Sequence, residues 1–320
     1  MLAALFKKSN EMTNSNQESK SAAHEALLAV GDKAQAEEIA LFEAATEGAQ
    51  RKLKVTRESL VVRMIFGQQP ELSELCSGAD KMLKSSHADT DKILSKAITL
   101  NEEGLAFDQN KKISTQLRDD LAQIGVYGLT VPKEFSGLGL NYSQLACLEE
   151  SLAANGLGSL AVEVSGQLTI GSSALLGYGT SEQRTRFLPE IAKGRLIAFA
   201  LTEVGVGVNA KRVQAWVERD EENQCWRLNA YGAANKLYIT SATHGGLAAI
   251  VARKGKGGKE MGLFILEMPE QDMDGDVQFS CESSNVSAFA ENINSRISFK
   301  NFPVPFEQEI QGNGVEVLFY

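Results

Sequence analysis

Apolar residues along this chain change their spacing once. Up to about Gly194 they recur every three or four positions, the period of one helix face. Beyond it they alternate with polar residues or form short solid runs, as strands do. Residues 9–22 (SNEMTNSNQESKSA) hold almost no large apolar group and read as a flexible tail. Residues 24–66 read as helical but sparsely apolar, with Leu27, Leu28, Ala36, Ile39, Leu41 and Phe42; they form an extension without evident chemistry. Between 70 and 125 the helical spacing returns at Leu72, Leu75, Cys76, Ala79, Met82 and Leu83, and again at Leu117, Leu121 and Ile124, where Gly125 stops it. A Gly- and Pro-punctuated loop, GLTVPKEFSGLGL (Gly128 to Leu140), precedes a helix from Tyr142 that places Leu145, Leu148 and Leu152 on one face and stops near Asn155-Gly156. Thr180 with Gln183 three residues on forms a capping box for another helix, which Gly194 ends.

The strand text begins with LIAFAL (Leu196 to Leu201), a buried-strand pattern. Val213, Ala215 and Val217 then alternate with Gln214, Trp216 and Glu218, a polar turn follows at Asp220–Asn223, and QCWRLN alternates again, which predicts a hairpin with Trp216 facing Trp226. LYIT, GGLAAIVARK, MGLFILEM and SRISFKNF extend the series, and Gly255–Glu260 (GKGGKE) reads as a solvated turn between two strands. Helices followed by strands predict an α+β chain: an all-α domain, then an antiparallel, barrel-like β domain, with the boundary near 190–195. The length of 320 residues fits about two domains at ~150 residues each.

Composition narrows the functions. At 43% hydrophobic and 23% charged residues the chain is neither disordered nor fibrous. Its net charge of −9 argues against a broad nucleic-acid or anionic-membrane surface. Cys76, Cys147, Cys225 and Cys281 lie far apart, as free thiols of a reducing compartment do, and three histidines do not make a metal centre. No apolar run approaches the ~18–20 residues of a membrane span. The N-terminal MLAALFKKSN puts its apolar residues before its basic ones, the reverse of a secretory signal, so the expected location is cytoplasmic.

Few motifs carry chemistry on their own. Gly205 to Ala210 spells G-x-G-x-x-A after a strand, but a dinucleotide site needs a helix there, and the next residues alternate like a strand. There is no G-x-S-x-G elbow. His244 has no nucleophile or metal partner nearby in sequence and reads as a polar loop residue, and Glu149 and Glu150 read as solvated surface on a helix.

Three stretches, with a fourth at the end, resemble the acyl-CoA dehydrogenases over residues from about 73 to 320. They are GLTVPKEFSGLGL; YGTSEQRTRFLPEIAKGRLIAFALTE (Tyr178 to Glu203), which ends in that family's L-T-E; Lys236 to Thr240, similar to its K-x-W-I-T strand; and the final GNGVEVLFY, where its C-terminal domain opens. The resemblance implies an extension over 1–72, an α-helical domain over 73–193, a β domain over 194–311, and over 312–320 the start of a C-terminal helical bundle that is otherwise absent. It implies FAD as cofactor, with Phe199, Leu201 and Thr202 at the flavin edge, Tyr238 stacking where relatives carry Trp, and Thr240 hydrogen-bonding the ring. It implies an oxidoreductase of fatty-acid metabolism that removes hydrogen from the α and β carbons of acyl-CoA and passes electrons to an electron-transfer flavoprotein or similar acceptor. Its full-length members assemble as homo-oligomers.

The chain departs from the pattern after L-T-E, where relatives read P-x-A-G-S-D and this sequence reads Val204 to Asn209. Val208 takes the place of a serine at the cofactor and thioester end, and Asn209 that of a carboxylate. The family's catalytic glutamate lies further along than Tyr320, so no catalytic residue is assigned, Glu316 included. The expectation is therefore a truncated form lacking that glutamate, with large uncovered apolar patches and lowered stability. The alternative is a catalytically inactive flavin- or acyl-CoA-binding protein on the same scaffold.

Overall fold

The computed structural model describes residues 28, 29, 33, 87–207 and 209–311. The expectations for residues 9–22, most of 24–66, Leu72 to Leu83, Val208 and 312–320 lie outside these residues. The chain divides into residues 1–75 and 76–320; in the first unit Leu28, Ala29 and Lys33 are helical, and all that follows concerns the second.

Its helical half opens with α1 (Ala88–Glu102), which buries Ile93, Ala97 and Leu100. The Nδ1 of His87 caps it by accepting the Asp89 N–H, filling one of the donors that a helix start leaves open. Helix α2 (Thr115–Gln123) is capped by Ser114 and buries Leu117 and Leu121. Between them the helical text is broken, because Asp108 Oδ1 accepts the N–H groups of Asn110 and Lys112 and offers the backbone a turn instead of a helix. Gly125, at φ 90°, ends this region as its sequence position predicts. Helix α3 (Tyr142–Ala154) starts on an Asn141–Gln144 capping box and buries Leu145, Leu148 and Leu152. Helix α4 (Gly158–Ser165) runs directly into one π-helical stretch at Gly166–Gly171, followed by α5 (Ser173–Tyr178). The expected Thr180–Gln183 box opens α6 (Ser181–Ala192), and Gly194 takes φ 101° just after it. Arg118 of α2 and Tyr127 both reach the buried Glu163 of α4, at 2.7 Å from Arg118 Nη2 and 2.7 Å from the Tyr127 hydroxyl. Burial, and then Glu163, push the tyrosine hydroxyl well above its ordinary range.

The second half is one curled sheet of eight strands among the described residues: β1 (Ile197–Ala200), β2 (Trp216–Asp220), β3 (Cys225–Ala230), β4 (Lys236–Thr240), β5 (Leu247–Lys254), β6 (Met261–Glu267), β7 (Gln278–Ser283) and β8 (Asn294–Pro305). The hydrogen-bonded path runs β1-β5-β2-β3-β8-β4, with β6 on β5 and β7 on β8. The sheet is mixed and not antiparallel as expected: β1 and β2 both lie parallel to β5. Hairpin signals in a sequence report only neighbouring strands, whereas β1 meets β5 across the intervening β2–β4 excursion. The β2–β3 hairpin forms, but Trp216 pairs with Asn229 and Trp226 with Arg219, so the two indoles do not face each other. The Trp216 ring lies 5.5 Å from that of Tyr231, and the Trp226 ring 5.4 Å from that of Phe306. The core is continuous through both halves, from Ile93 and Leu148 to Ile250, Phe264 and Phe299.

The two ends of the sheet path also meet. Leu237 N donates to Thr202 O, Val204 N donates to Asn235 O, and Glu203 bridges to Lys236, so the segment after β1 closes onto the start of β4.

Candidate functional site

This seam gathers the predicted cofactor residues. Phe199 lies on β1, Leu201 and Thr202 directly follow it, and Tyr238 and Thr240 lie on β4; the Leu237–Thr202 bond holds the two segments side by side. In β1 the Leu196 carbonyl accepts from Leu247 of β5, while Ile197 N–H points the other way, to Gln167 Oε1. By strand alternation the N–H group of Phe199 also points away from β5. The Thr202 hydroxyl meets no hydrogen-bond partner among the described residues. Thr240 donates to Asn294 Oδ1 at 2.8 Å, which leaves its oxygen free to accept but not to donate elsewhere. Tyr238 is 59% exposed and takes φ 58°, a left-handed conformation unusual for a bulky residue, at the irregularity where β4 shifts register against β8. The seam thus presents the outward-facing N–H of Phe199, an uncommitted hydroxyl and an exposed aromatic ring, a donor set that fits the edge and face of a flavin. Val208 lies outside the described residues.

Beneath the seam lies the most deeply buried ion pair of the fold. Glu203 and Lys236 have fully buried side chains and meet at 2.8 Å. The Glu203 carboxylate also accepts the N–H groups of Gln214, at 2.6 Å, and Ala215, at 2.9 Å. Lys236 Nζ donates further to the carbonyls of Val251, at 2.8 Å, and Leu201, at 3.3 Å. Burial pulls its ammonium down to about 8, against the opposing pull of Glu203. Sequence reasoning quoted both residues inside motifs without pairing them; the available signal was a lone charge of each sign in otherwise apolar strands.

The turn after Thr202 leads to a cavity of about 630 Å³. Gly205 N donates to Ala233 O, and Ala233 and Ala234 line the cavity together with Arg212, Arg253, Lys256 and Lys259. Among the described residues no carboxylate lines it. Arg253 is held by backbone carbonyls: its Nε donates to Val213, Nη1 to Gly258 and Nη2 to Lys211. Lys256 Nζ sits 5.2 Å from the Trp216 ring, which with Tyr231 forms the aromatic wall. Gly255–Glu260 does form the expected turn between β5 and β6, but its lysines face this cavity, which no spacing rule reveals. As expected from the sequence, no dinucleotide-binding helix follows Gly205: Ala210–Arg212 is one 3₁₀ turn and β2 comes next.

His244 is a polar loop residue as expected; it meets Asp272 Oδ1 at 2.8 Å, and this bond holds the Asp272 carboxyl below its usual range. One further expectation is corrected. Glu149 is not simply solvated: it is half-buried, one carboxylate oxygen has no partner, and burial raises its pKa despite a hydrogen bond from Ser165. Glu150 is exposed as expected. Cys225 and Cys281 are free thiols. No helix among the described residues is long and apolar enough to cross a membrane, and those residues hold no metal-ligating cluster.

Residues 91–195 match the model of the acyl-CoA dehydrogenase N-terminal domain. The mouse mitochondrial very long-chain specific acyl-CoA dehydrogenase is 33% identical over 144 residues, which cover 45% of this chain and 21% of that protein. The (2S)-methylsuccinyl-CoA dehydrogenase of Cereibacter sphaeroides is 30% identical over 150 residues, covering 45% of this chain and 25% of that one. The alignments therefore span about a quarter or less of these curated relatives. In fold, the chain is similar to an acyl-CoA dehydrogenase from Bacillus anthracis solved with FAD, at a TM-score of 0.59 and 23% identity over 73% of this chain and 40% of that one. The chain is thus similar to the acyl-CoA dehydrogenases: residues 91–195 match the model of their N-terminal domain, and the fold is similar to that of a solved member.

Proposed function

We propose that this chain is a flavoprotein of the acyl-CoA dehydrogenase type that binds FAD at the β1–β4 seam and an acyl-CoA thioester beside it. The observation that carries the reading is the seam itself, which brings Phe199, Leu201, Thr202, Tyr238 and Thr240, distant in sequence, onto two adjoining strand segments. FAD, when bound, supplies the acceptor for the hydride leaving the β carbon of the acyl group. The Phe199 N–H and the Thr202 hydroxyl donate to the ring's edge, with Leu201 between them, where donors stabilise negative charge in a site shielded from water. Tyr238 covers one face of the ring, and Thr240 accepts a hydrogen bond from it. The basic cavity of Arg212, Arg253, Lys256 and Lys259 takes the phosphate-bearing nucleotide end of coenzyme A, with the Trp216–Tyr231 wall against its base. No described residue is assigned as the base that removes the α proton. The electrons pass to an electron-transfer flavoprotein or similar acceptor, and the expected location is cytoplasmic.

Titration of the purified protein with FAD tests the cofactor: a bound-flavin absorbance band in the blue supports it, and protein that stays colourless sinks it. Dye-coupled turnover with medium- and long-chain acyl-CoA then separates the dehydrogenase from the alternative. Flavin and coenzyme A binding without turnover identifies an inactive binding protein on this scaffold.

A further inference from the structure

We infer that Glu203 and Lys236 are positioning residues for the cofactor, a buried strut that sets where the end of β1 stands relative to β4; this rests on the flavin reading above. The two charges are placed where four strands converge and no regular ladder can join them. Glu203 follows β1, Lys236 opens β4, the amides that Glu203 accepts lie just before β2, and the Val251 carbonyl belongs to β5. Each hydrogen bond fixes a different backbone segment to the same pair of atoms. Lys236 uses its donors on Glu203, Leu201 and Val251, so the Leu201 carbonyl, one residue from Thr202, is held from inside the sheet. Glu203 likewise anchors the approach to β2 at Gln214 and Ala215, and Gln214 lines the basic cavity. Glu203 is the charged group that faces Lys236 among the described residues; β1 and β5 present only carbonyls to it.

A purely stabilising role is a weak account of such a pair. Desolvating two charges offsets most of their attraction, and apolar replacements of similar volume are often neutral in stability. What an apolar pair cannot supply is hydrogen bonding to a strand carbonyl on one side and two amides on the other. The strut therefore makes the outer face of the seam a consequence of the buried charges, and ties the flavin edge and the nucleotide cavity to one anchor.

The test compares the wild-type chain with Lys236→Met and with the charge-free double variant Glu203→Gln/Lys236→Met. Melting temperature, FAD dissociation constant by flavin fluorescence quenching, and the band shape of bound flavin are measured for each. The single variant is expected to melt lowest, because it leaves a carboxylate buried without its cation. The double variant is expected to recover most of the melting temperature yet bind FAD at least tenfold more weakly, with a blunted vibronic shoulder. A double variant with both wild-type melting and wild-type FAD affinity would falsify the inference while leaving the cofactor reading intact. A wild-type chain that binds no FAD overturns the cofactor reading and this inference with it. Should the double variant not fold, amide exchange on the wild type decides. FAD should protect Leu201–Glu203 and Leu237–Ile239 together, and protection of neither segment overturns the strut.

Discussion

Thr202 is the residue on which the cofactor reading can be tried most cheaply. Its hydroxyl has no partner within the described residues and its backbone carbonyl already holds Leu237, so Thr202→Val removes one donor while leaving the seam's backbone bond in place. FAD affinity is expected to fall about five- to tenfold, the ~1 kcal/mol of a single hydrogen bond, at an unchanged melting temperature. Calorimetric titration of both proteins checks this. Glu149 gives a second prediction, with a sign fixed by its environment. Burial raises its folded-state pKa above the ordinary carboxylate value, so the folded chain holds that proton more tightly than the unfolded one. Its contribution to stability is greatest below the ordinary value and is lost as pH rises through the raised one. Glu149→Gln should therefore melt higher than wild type at neutral pH, with the gap closing toward pH ~4, the ordinary range of a carboxylate. A gap that widens on acidification contradicts the assignment. Neither residue announced this from sequence. Thr202 entered through an L-T-E triplet, and Glu149 looked like one of a pair of solvated acids because helical periodicity gives a direction and not a depth.

The junction between the π-helical stretch and β1 shows how one element aims another. Gln167 lies in Gly166–Gly171; its Nε2 donates to Arg195 O and its Oε1 accepts from Ile197 N, so a side chain starts the strand that no preceding ladder could start. Gly171 lies so close to the Ile197 carbonyl that an added Cβ would stand 2.7 Å from it. Gln167→Leu strands both backbone groups and is expected to cost ~1–3 kcal/mol or more in urea unfolding. It should also weaken FAD binding, since β1 carries Phe199. The helices themselves were legible because their signals are local: Thr180 with Gln183, Asn155 after Leu152, Gly125 and Gly194 at the stops. Strand existence was legible for the same reason. Pairing was not, because β1, β4, β5 and β8 find one another over tens of residues, and nothing in LIAFAL or LYIT specifies a partner or its direction.

Across the molecule the charge is distributed against its own total. A chain of net charge −9 concentrates Arg212, Arg253, Lys256 and Lys259 around one cavity, which the overall figure conceals. Lys256→Ala/Lys259→Ala is expected to weaken coenzyme A binding about tenfold at low salt. The difference should shrink in ~1 M salt, where screening reaches ~3 Å. Equal salt dependence in both proteins would count against the cavity as the phosphate site. The α+β order followed from periodicity, whereas the cavity could not, since its four cations come from two separate stretches, Arg212 and residues 253–259. The closure of the sheet path at β1 and β4 has a kinetic consequence. Strand β1 docks on β5 and β4 on β8, each a partner some fifty residues later in the chain. Loop closure makes such distant pairings slower than the formation of local helices. Recovery of flavin binding on refolding, which needs both pairings, should therefore trail the recovery of helical signal.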